Sequence, residues 1–258
     1  MSKINVTSYT IDAGEKLSGR CLVFLSDFHD AKEGKYNDLL IRMIKRISPD
    51  AVLLGGDMIN GRDKFEQTKY SVDLINRLAA AFPVYYSYGN HERKVECNIF
   101  DNGDCFDRYK EALDDKVHFL VNSSEEILDG LRVYGIDIPL KYYKRFVFPK
   151  LKPQTIEKVL GKKDDSCFNI LLGHTPDLID GYAGWGADLV LSGHFHGGMV
   201  RLPLIGGVIS PRLRPFPKYD YGFYTFDKTD MIVTNGIAQH SIKIRINNKP
   251  EIVRIVFK

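Results

Sequence analysis

Short apolar runs that end in glycine or a polar residue recur along this chain of 258 residues, and they constrain its fold most strongly. Each run is four or five residues long, which suits a strand buried on both faces. The runs are Cys21–Leu25, Ala51–Leu54, residues 84–87, Phe168–Leu172 and residues 188–191. Strands of this kind need cover on both sides, so the chain predicts a layered α/β fold.

Helical patterns lie between the first three runs. Apolar residues repeat at helical spacing within residues 39–47 and again within residues 72–79. Strands that alternate with helices predict right-handed βαβ units and a sheet with parallel character. After residue 197 the chain becomes rich in strand formers, which predicts a second sheet packed on the first. These later segments are residues 221–226, 231–234, 241–246 and 251–257.

Composition sets the broad class of protein. Hydrophobic residues make up 44% of the chain, and we detect no internal repeat, so we expect a single domain over residues 1–258. A net charge of +3 neither implies nor excludes a nucleic-acid partner. Four scattered cysteines fit no zinc motif. The sequence has no export signal and no apolar run of membrane-spanning length, so we expect a cytoplasmic protein.

Histidine and aspartate cluster immediately after the apolar runs. The clustered residues are Asp27, His29, Asp57, Asn90, His91, Glu92, His174, His194 and His196. Residues two apart in an extended segment point to the same side, so Asp27 and His29 can face one ion, and His194 and His196 can both face the metal pair. Open α/β sheets place their sites at the carboxyl ends of strands. The clusters therefore predict a site for two metal ions.

The order of the clusters, DxH, GD, GNHE, GH and GHxH, resembles the calcineurin-like metallophosphoesterases. Residues 191–198 and 201–206 are similar to the bacterial YkuE/YaeI-type phosphodiesterase branch of that family. The resemblance covers nearly the whole chain. It implies a four-layer αββα sandwich of two mixed β-sheets flanked by helices.

The resemblance also implies a ligand set. One ion would be held by Asp27, His29 and His196, the other by Asn90, His174 and His194, with Asp57 bridging the two. Imidazole, carboxylate and amide ligands suit Mn, Fe and Zn alike. His91 is then left to assist the phosphoryl oxygen or the leaving group. Glu92 is expected either to orient His91 or to be an exposed acid.

The function that follows from the resemblance is a dinuclear metal-dependent phosphoesterase. It would hydrolyse a phosphodiester or pyrophosphate bond through a hydroxide between the ions, with His91 and Asp57 as catalytic residues. Within enzymes, a lipid-linked pyrophosphate hydrolase and a nucleotide or nucleic-acid phosphodiesterase both stay open. A non-catalytic scaffold with the same fold is the other alternative. The sequence has no nucleotide-binding phosphate loop and no GxSxG elbow.

Three further features bear on the substrate. Residues 139–150 interleave aromatic and basic side chains, as in a surface that stacks nucleotides or contacts lipid, or in a partly buried element whose lysines reach solvent. Residues 199–219 run from apolar to basic and predict either a wall of the substrate cleft or a hairpin on the second sheet. His240 lies in a loop that the resemblance brings near the site, so it is a possible substrate contact.

Overall fold

The computed structural model describes residues 4–31, 34–144, 146–197, 201–202, 206–207, 217–238 and 249–258, with only the backbone described for 34–35, 201–202 and 206–207. The strands are β1 (Asn5–Ile11), β2 (Cys21–Leu25), β3 (Ala51–Leu54), β4 (Val84–Tyr86), β5 (Val117–Phe119), β6 (Ser123–Leu128), β7 (Leu131–Gly135), β8 (Phe168–Leu172), β9 (Leu189–Ser192), β10 (Arg201–Leu202), β11 (Gly206–Gly207), β12 (Gly222–Phe226), β13 (Thr229–Val233) and β14 (Glu251–Phe257). The α-helices are α1 (Gly34–Ile47), α2 (Lys69–Ala79), α3 (Asn90–Glu96), α4 (Cys105–Glu111), α5 (Pro153–Leu160) and α6 (Ile179–Trp185).

Two mixed sheets organise the described residues. The first has the strand order β1-β14-β2-β3-β4-β5, and the second has the order β12-β13-β9-β8-β7-β6. In the first sheet β2, β3, β4 and β5 run parallel to one another, whereas β14 is antiparallel to its neighbour β2. In the second sheet β7, β8, β9 and β13 are parallel, and β6 and β12 form antiparallel edges. The central strands of each sheet therefore run parallel to one another.

Alternation along each strand divides the apolar side chains between two faces. In β2, Leu22 and Phe24 pack between the sheets, while Val23 and Leu25 face the helices α1 and α2. In β8, Ile170 and Leu172 join the core between the sheets, and Leu171 packs on the side of α5 and α6. A period of two is what a strand buried on both faces requires. The result is the expected helix, sheet, sheet, helix sandwich.

The origin of the second sheet differs from the sequence prediction. We expected it to be built from segments after residue 197, but β7, β8 and β9 already form its centre. The last of the later segments, β14, returns to the first sheet and lies between β1 and β2. Apolar composition indicates a buried strand equally well in either sheet, because both sheets are covered on two faces.

Parts of the later chain fall outside the described residues. These include residues 241–246, where we expected a strand, and most of residues 199–219. Within the latter segment β10 pairs with β11 in an antiparallel hairpin. No helix among the described residues is both long and apolar enough to span a membrane.

Candidate metal centre

The strand ends of both sheets bring the predicted metal ligands together in the folded chain. Asp27 and His29 follow β2, and Asp57 follows β3. His174 follows β8, and the pair His194 and His196 follows β9. Asn90 begins α3, just after β4, and all seven side chains are buried. Parallel strands end at a common edge of a sheet, and here the edges of the two sheets meet.

One cluster joins Asp27, His29 and His196. The Nε2 atoms of His29 and His196 are 3.2 Å apart. Asp27 Oδ1 is 3.4 Å from His196 Nε2 and 4.0 Å from His29 Nε2. Ligand atoms bound about 2.1 Å from one ion are separated by roughly 3.0–3.5 Å. These three side chains can therefore share one cation.

A second cluster joins Asp57, His174 and His194, whose nearest ligand atoms lie within 4.8 Å of one another. His174 Nδ1 donates a hydrogen bond to the Gly55 carbonyl at 2.8 Å, and its Nε2 lies 3.1 Å from Asp57 Oδ2. Asn90 Oδ1 is buried and accepts no hydrogen bond from a described residue. A buried oxygen that accepts no hydrogen bond is suited to bind a cation, because buried polar atoms otherwise almost always have a hydrogen-bond partner.

His91 differs from the other clustered histidines. Its Nδ1 accepts a hydrogen bond from the backbone N–H of Gly61 at 2.6 Å, so the proton of the neutral ring is on Nε2. That Nε2 is 3.9 Å from Asp57 Oδ2, and the side chain is 15% exposed. A protonated Nε2 cannot bind a metal ion, although it lies close enough to Asp57 and His29 to do so. It can donate a hydrogen bond instead.

The backbone at the strand ends is in an uncommon conformation. Asp27, His29, Asp57, His194 and His196 all have positive φ, between 48° and 66°. Left-handed φ is sparsely populated by residues other than glycine, and it persists only where the surroundings fix it. Hydrogen bonds supply this support, with Asp27 N–H donating to the Gly56 carbonyl and His29 N–H to the Asp57 carbonyl, both at 3.0 Å.

At two positions the backbone passes so close to a carboxylate that only glycine fits. A Cβ at Gly89 would lie 2.2 Å from Asp57 Oδ1, and a Cβ at Gly193 would lie 2.2 Å from Asp27 Oδ2. Both contacts are far shorter than any non-bonded distance. The glycines in the GNH and GHxH motifs thus make room for Asp57 and Asp27.

Burial and the charges of nearby histidines shift the pKa values of the two aspartates in opposite directions. Burial, opposed by the charge of His174 and reinforced by that of Asp57, raises the pKa of Asp27 to about 7. Burial acts on Asp57 as well, but the charges of His174 and His91 outweigh it and hold the Asp57 pKa well below its usual value. For His174, burial is outweighed by Asp57, and the pKa rises to about 9. The two carboxylates thus favour positive charge beside them, which bound cations supply.

Glu92 supports the loops that carry Asp57 and Asn90. Its fully buried carboxylate accepts hydrogen bonds from the N–H groups of Asp57 at 2.8 Å, Met58 at 2.7 Å and Gly89 at 2.9 Å. The Tyr86 hydroxyl donates a further bond at 2.8 Å. Burial, with the nearby charge of Asp57, raises the pKa of Glu92.

The position of Glu92 corrects the sequence prediction. It is not an exposed acid, because its side chain is buried. Among the described residues its hydrogen bonds go to backbone N–H groups and to Tyr86, and none goes to the His91 ring. The His91 ring is oriented instead by the Gly61 N–H, which donates a hydrogen bond to its Nδ1.

A second buried glutamate, Glu251 at the start of β14, lies behind the other side of the site. It accepts hydrogen bonds from the hydroxyls of Thr7, Tyr221 and Thr234, the latter two at 2.9 Å. The N–H of Asn235 also donates to it, at 3.2 Å. Glu251 therefore fixes the start of the loop that follows β13.

That loop contacts Asp27 directly. Ile237 N–H donates to the Ser26 carbonyl at 3.1 Å, and Ala238 N–H donates to the Asp27 carbonyl at 2.9 Å. A Cβ at Gly236 would lie 2.7 Å from Asp27 Cβ. The sequence analysis missed this support, since Glu251 is more than 200 positions away from Asp27 in the chain.

Tyr143 is a further residue of the site that the sequence analysis did not single out. Its ring centroid lies 5.1 Å from that of His194 and 6.2 Å from that of His174. Burial raises its pKa well above the usual value, so the phenol is neutral. Its place within residues 139–150 was the available signal. His240, the other possible substrate contact, lies outside the described residues.

A family model described as calcineurin-like phosphoesterase matches residues 22–198. The chain belongs to this family. The matched span runs from β2 to just beyond His196 and includes both clusters of potential metal ligands. This phosphoesterase is thus a metal-dependent phosphoric ester hydrolase, and its histidine and aspartate clusters fit two metal ions.

Similar proteins span almost all of the phosphoesterase. It is 28% identical over 268 residues to the uncharacterized metallophosphoesterase YkuE of Bacillus subtilis, covering 99% of this chain and 86% of the relative. It is 25% identical over 237 residues to the phosphodiesterase YaeI of Escherichia coli, covering 91% and 80%. A solved structure, TT1561 of Thermus thermophilus, aligns with a TM-score of 0.50 at 13% identity over 84% of this chain and 89% of that one, which shows a shared fold.

Proposed function

We propose that this phosphoesterase hydrolyses a phosphodiester or pyrophosphate bond at a two-metal centre, with His91 as a hydrogen-bond donor to the leaving group. The observation that carries the proposal is the meeting of two ligand clusters around Asp27 and Asp57, with the protonated nitrogen of His91 beside them. In our assignment the first ion is held by Asp27, His29 and His196, the second by Asn90, His174 and His194, and Asp57 lies between them.

The charge of the site supports a phosphate substrate. Asp27 and Asp57 supply two negative charges, which leaves the site net positive once two divalent ions are bound. Such ions polarise a phosphoryl group and supply a nucleophile at neutral pH. The buried, fixed side chains keep these charges in place, so little reorganisation is needed as charge develops at phosphorus.

His91 is suited to assist departure of the leaving group. Its Nδ1 is occupied by the Gly61 N–H, which fixes the ring and keeps a proton on Nε2. In the neutral tautomer Nε2–H can donate a hydrogen bond to the departing oxygen. This hydrogen bond would stabilise the negative charge that develops on that oxygen, which leaves as an alkoxide or a phosphate monoester and takes its proton from solvent.

The choice of a diester or pyrophosphate bond is supported by the similarity to YaeI, which bears the name phosphodiesterase. A test joins elemental analysis to a substrate panel containing a bis-aryl phosphodiester, an aryl phosphomonoester and a nucleoside diphosphate ester. We expect about two ions per chain among Mn, Fe and Zn. Turnover of the diester or of the pyrophosphate bond should be lost after chelation and restored by these ions.

Two results would contradict the proposal. Hydrolysis of the monoester alone would show that the bond class is wrong. Failure to bind or respond to any of the three metals would remove the two-metal centre as well.

A further inference from the structure

Three consecutive apolar residues stand out on the surface beside the metal centre. Phe146 is 72% exposed, and Val147 and Phe148 are each 50% exposed. Single exposed apolar residues are ordinary, but a run of large ones is costly to leave in water and marks a surface that meets another apolar phase.

The run is carried on a loop held at both ends. Tyr142 before it and Leu151 after it are buried in the apolar cluster on the outer face of the second sheet, together with Ile156 and Tyr182. The backbone at Leu151 is packed so closely that a Cβ at Gly181 would lie 2.5 Å from the Leu151 carbonyl oxygen. The anchors fix where the loop leaves and rejoins the fold, so the apolar run projects from a defined place.

Basic residues surround the run. Residues 138–156 contain five of the chain's 36 basic residues and none of its 33 acidic residues, so the remainder has 31 basic and 33 acidic residues. Lys144, Lys150 and Lys152 are exposed, as is Lys141, which lies over the Tyr142 ring. This segment therefore carries five positive charges, more than the net charge of +3 of the whole chain.

The same segment reaches the metal centre. Tyr143, one residue before Lys144, lies against His194 and near His174. Whatever binds residues 144–150 is therefore held at the rim of the site.

We propose that residues 144–152 dock the protein on an anionic lipid bilayer, with Phe146, Val147 and Phe148 entering the interface and Lys144, Lys150 and Lys152 contacting lipid phosphates. An exposed apolar run flanked by cations matches the layered chemistry of such a surface. Single-stranded nucleic acid fits less well, because Val147 has no ring for a base to stack on. The inference goes beyond the proposed function and does not depend on which bond is cleaved.

Vesicle flotation of the full chain tests this inference without reference to turnover. Vesicles of phosphatidylcholine alone are compared with vesicles in which about a third of the lipid is phosphatidylglycerol. The wild type should bind only the anionic vesicles. Replacing Lys144, Lys150 and Lys152 by Gln should weaken binding on the order of 10²-fold, at about fivefold for each cation. Replacing Phe146, Val147 and Phe148 by Ser should weaken it at least about tenfold.

Matched variants on other surfaces serve as controls. Ile99→Ser with Phe100→Ser removes two other exposed apolar side chains, and Arg42, Lys45 and Arg46 replaced by Gln remove three exposed cations from α1 on the opposite outer layer. Both controls should bind the anionic vesicles as the wild type does. All variants should keep the thermal stability of the wild type, which shows that they fold.

Three outcomes would overturn the inference. The first is absence of wild-type binding to anionic vesicles. The second is full binding by the triple Ser variant, which would leave only a charge effect. The third is binding of a single-stranded oligonucleotide in place of vesicles, which would assign the surface to nucleic acid.

Discussion

The two sheets contribute different chemistry to the metal centre. The first sheet supplies both carboxylates, Asp27 and Asp57, together with the amide of Asn90 and the imidazole of His29. The second sheet supplies the imidazoles of His174, His194 and His196, which carry no negative charge. Negative charge therefore lies on one side only. Cations bound there would be attracted to the carboxylates of the first sheet, and the imidazoles of the second sheet would complete their coordination. In this arrangement bound metal ions would act as a cross-link between the two layers.

The two sides also differ in how they are supported. The loops of Asp57 and Asn90 are joined by Glu92 through backbone hydrogen bonds within the first sheet. The loop of the second-sheet residue His194 is bound instead to Asp27, whose two carboxylate oxygens each lie 3.1 Å from the His194 N–H. The second sheet also has hydrogen bonds of its own, since the Gly193 N–H donates to the His174 carbonyl at 3.0 Å. The contact between His194 and Asp27 joins the two sides.

Asp57→Asn should have the largest effect on activity, because one weaker ligand between the clusters affects both ions. Turnover should fall by at least about 10³-fold, and metal content should fall for both ions. His174→Gln, on the second sheet, should lose only one. Elemental analysis beside turnover measurements tests this. Two ions per chain in an active Asp57→Asn variant would rule out the bridging role.

His91→Gln should reduce turnover while leaving the metals bound, because the Nε2 proton keeps this ring out of the ligand set. Loss of a hydrogen bond to the charge that develops on the leaving oxygen costs roughly 10²–10³ in rate. The loss should shrink for substrates with good leaving groups, such as a nitrophenolate. Steady-state kinetics over leaving groups of different pKa would show this, and an equal loss for all of them would point to a positional role.

Glu92→Gln should destabilise the fold by about 2–4 kcal/mol, because the new amide group would face backbone N–H groups that cannot accept a hydrogen bond. Glu251→Gln is a matched control at a second buried glutamate. Its main partners are the hydroxyls of Thr7, Tyr221 and Thr234, which can rotate to accept from the amide. Urea unfolding of the two variants measures the difference. Equal losses of stability would show that fixed N–H donors are not the cause.

Removal of the metals should lower the melting temperature, since ions that join the sheets bind only the folded state. Saturating ions contribute about 3 kcal/mol, or roughly 6–12 °C for a chain of this size. Calorimetry before and after chelation measures the shift. Asp57→Asn should show little further change on chelation. An unchanged melting temperature in fully metal-free wild type would contradict the cross-link.

The sequence predicted the local structure well where a single rule decides it. The boundaries of β2, β3 and β8 match the apolar runs, because a strand buried on both faces is almost continuously apolar. It did not predict which sheet a strand joins. β14 has the same composition in either sheet, and its partners β1 and β2 are determined by contacts across the length of the chain.

At the site, the residue types indicated which side chains meet, but not how they are supported. Motif order was enough to predict that Asp27, Asp57 and the histidines converge. The buried position of Glu92 could not be read from an acidic residue within a helix, since exposed glutamates are the rule there. The tautomer of His91 depends on the Gly61 N–H, and no sequence pattern records such a contact.

The position of β14 also has a consequence for how the protein is made. β14 lies between β1 and β2, so the first sheet cannot be completed until residues 26–250 have been synthesised. On the ribosome, β2, β3, β4 and β5 can pair as they emerge, but β14 and Glu251 follow much later. The loop behind Asp27 is fixed only when Glu251 arrives. We therefore expect metal loading to be a late event in biogenesis, and we expect a prematurely terminated chain that lacks β14 not to assemble the Asp27 side of the centre.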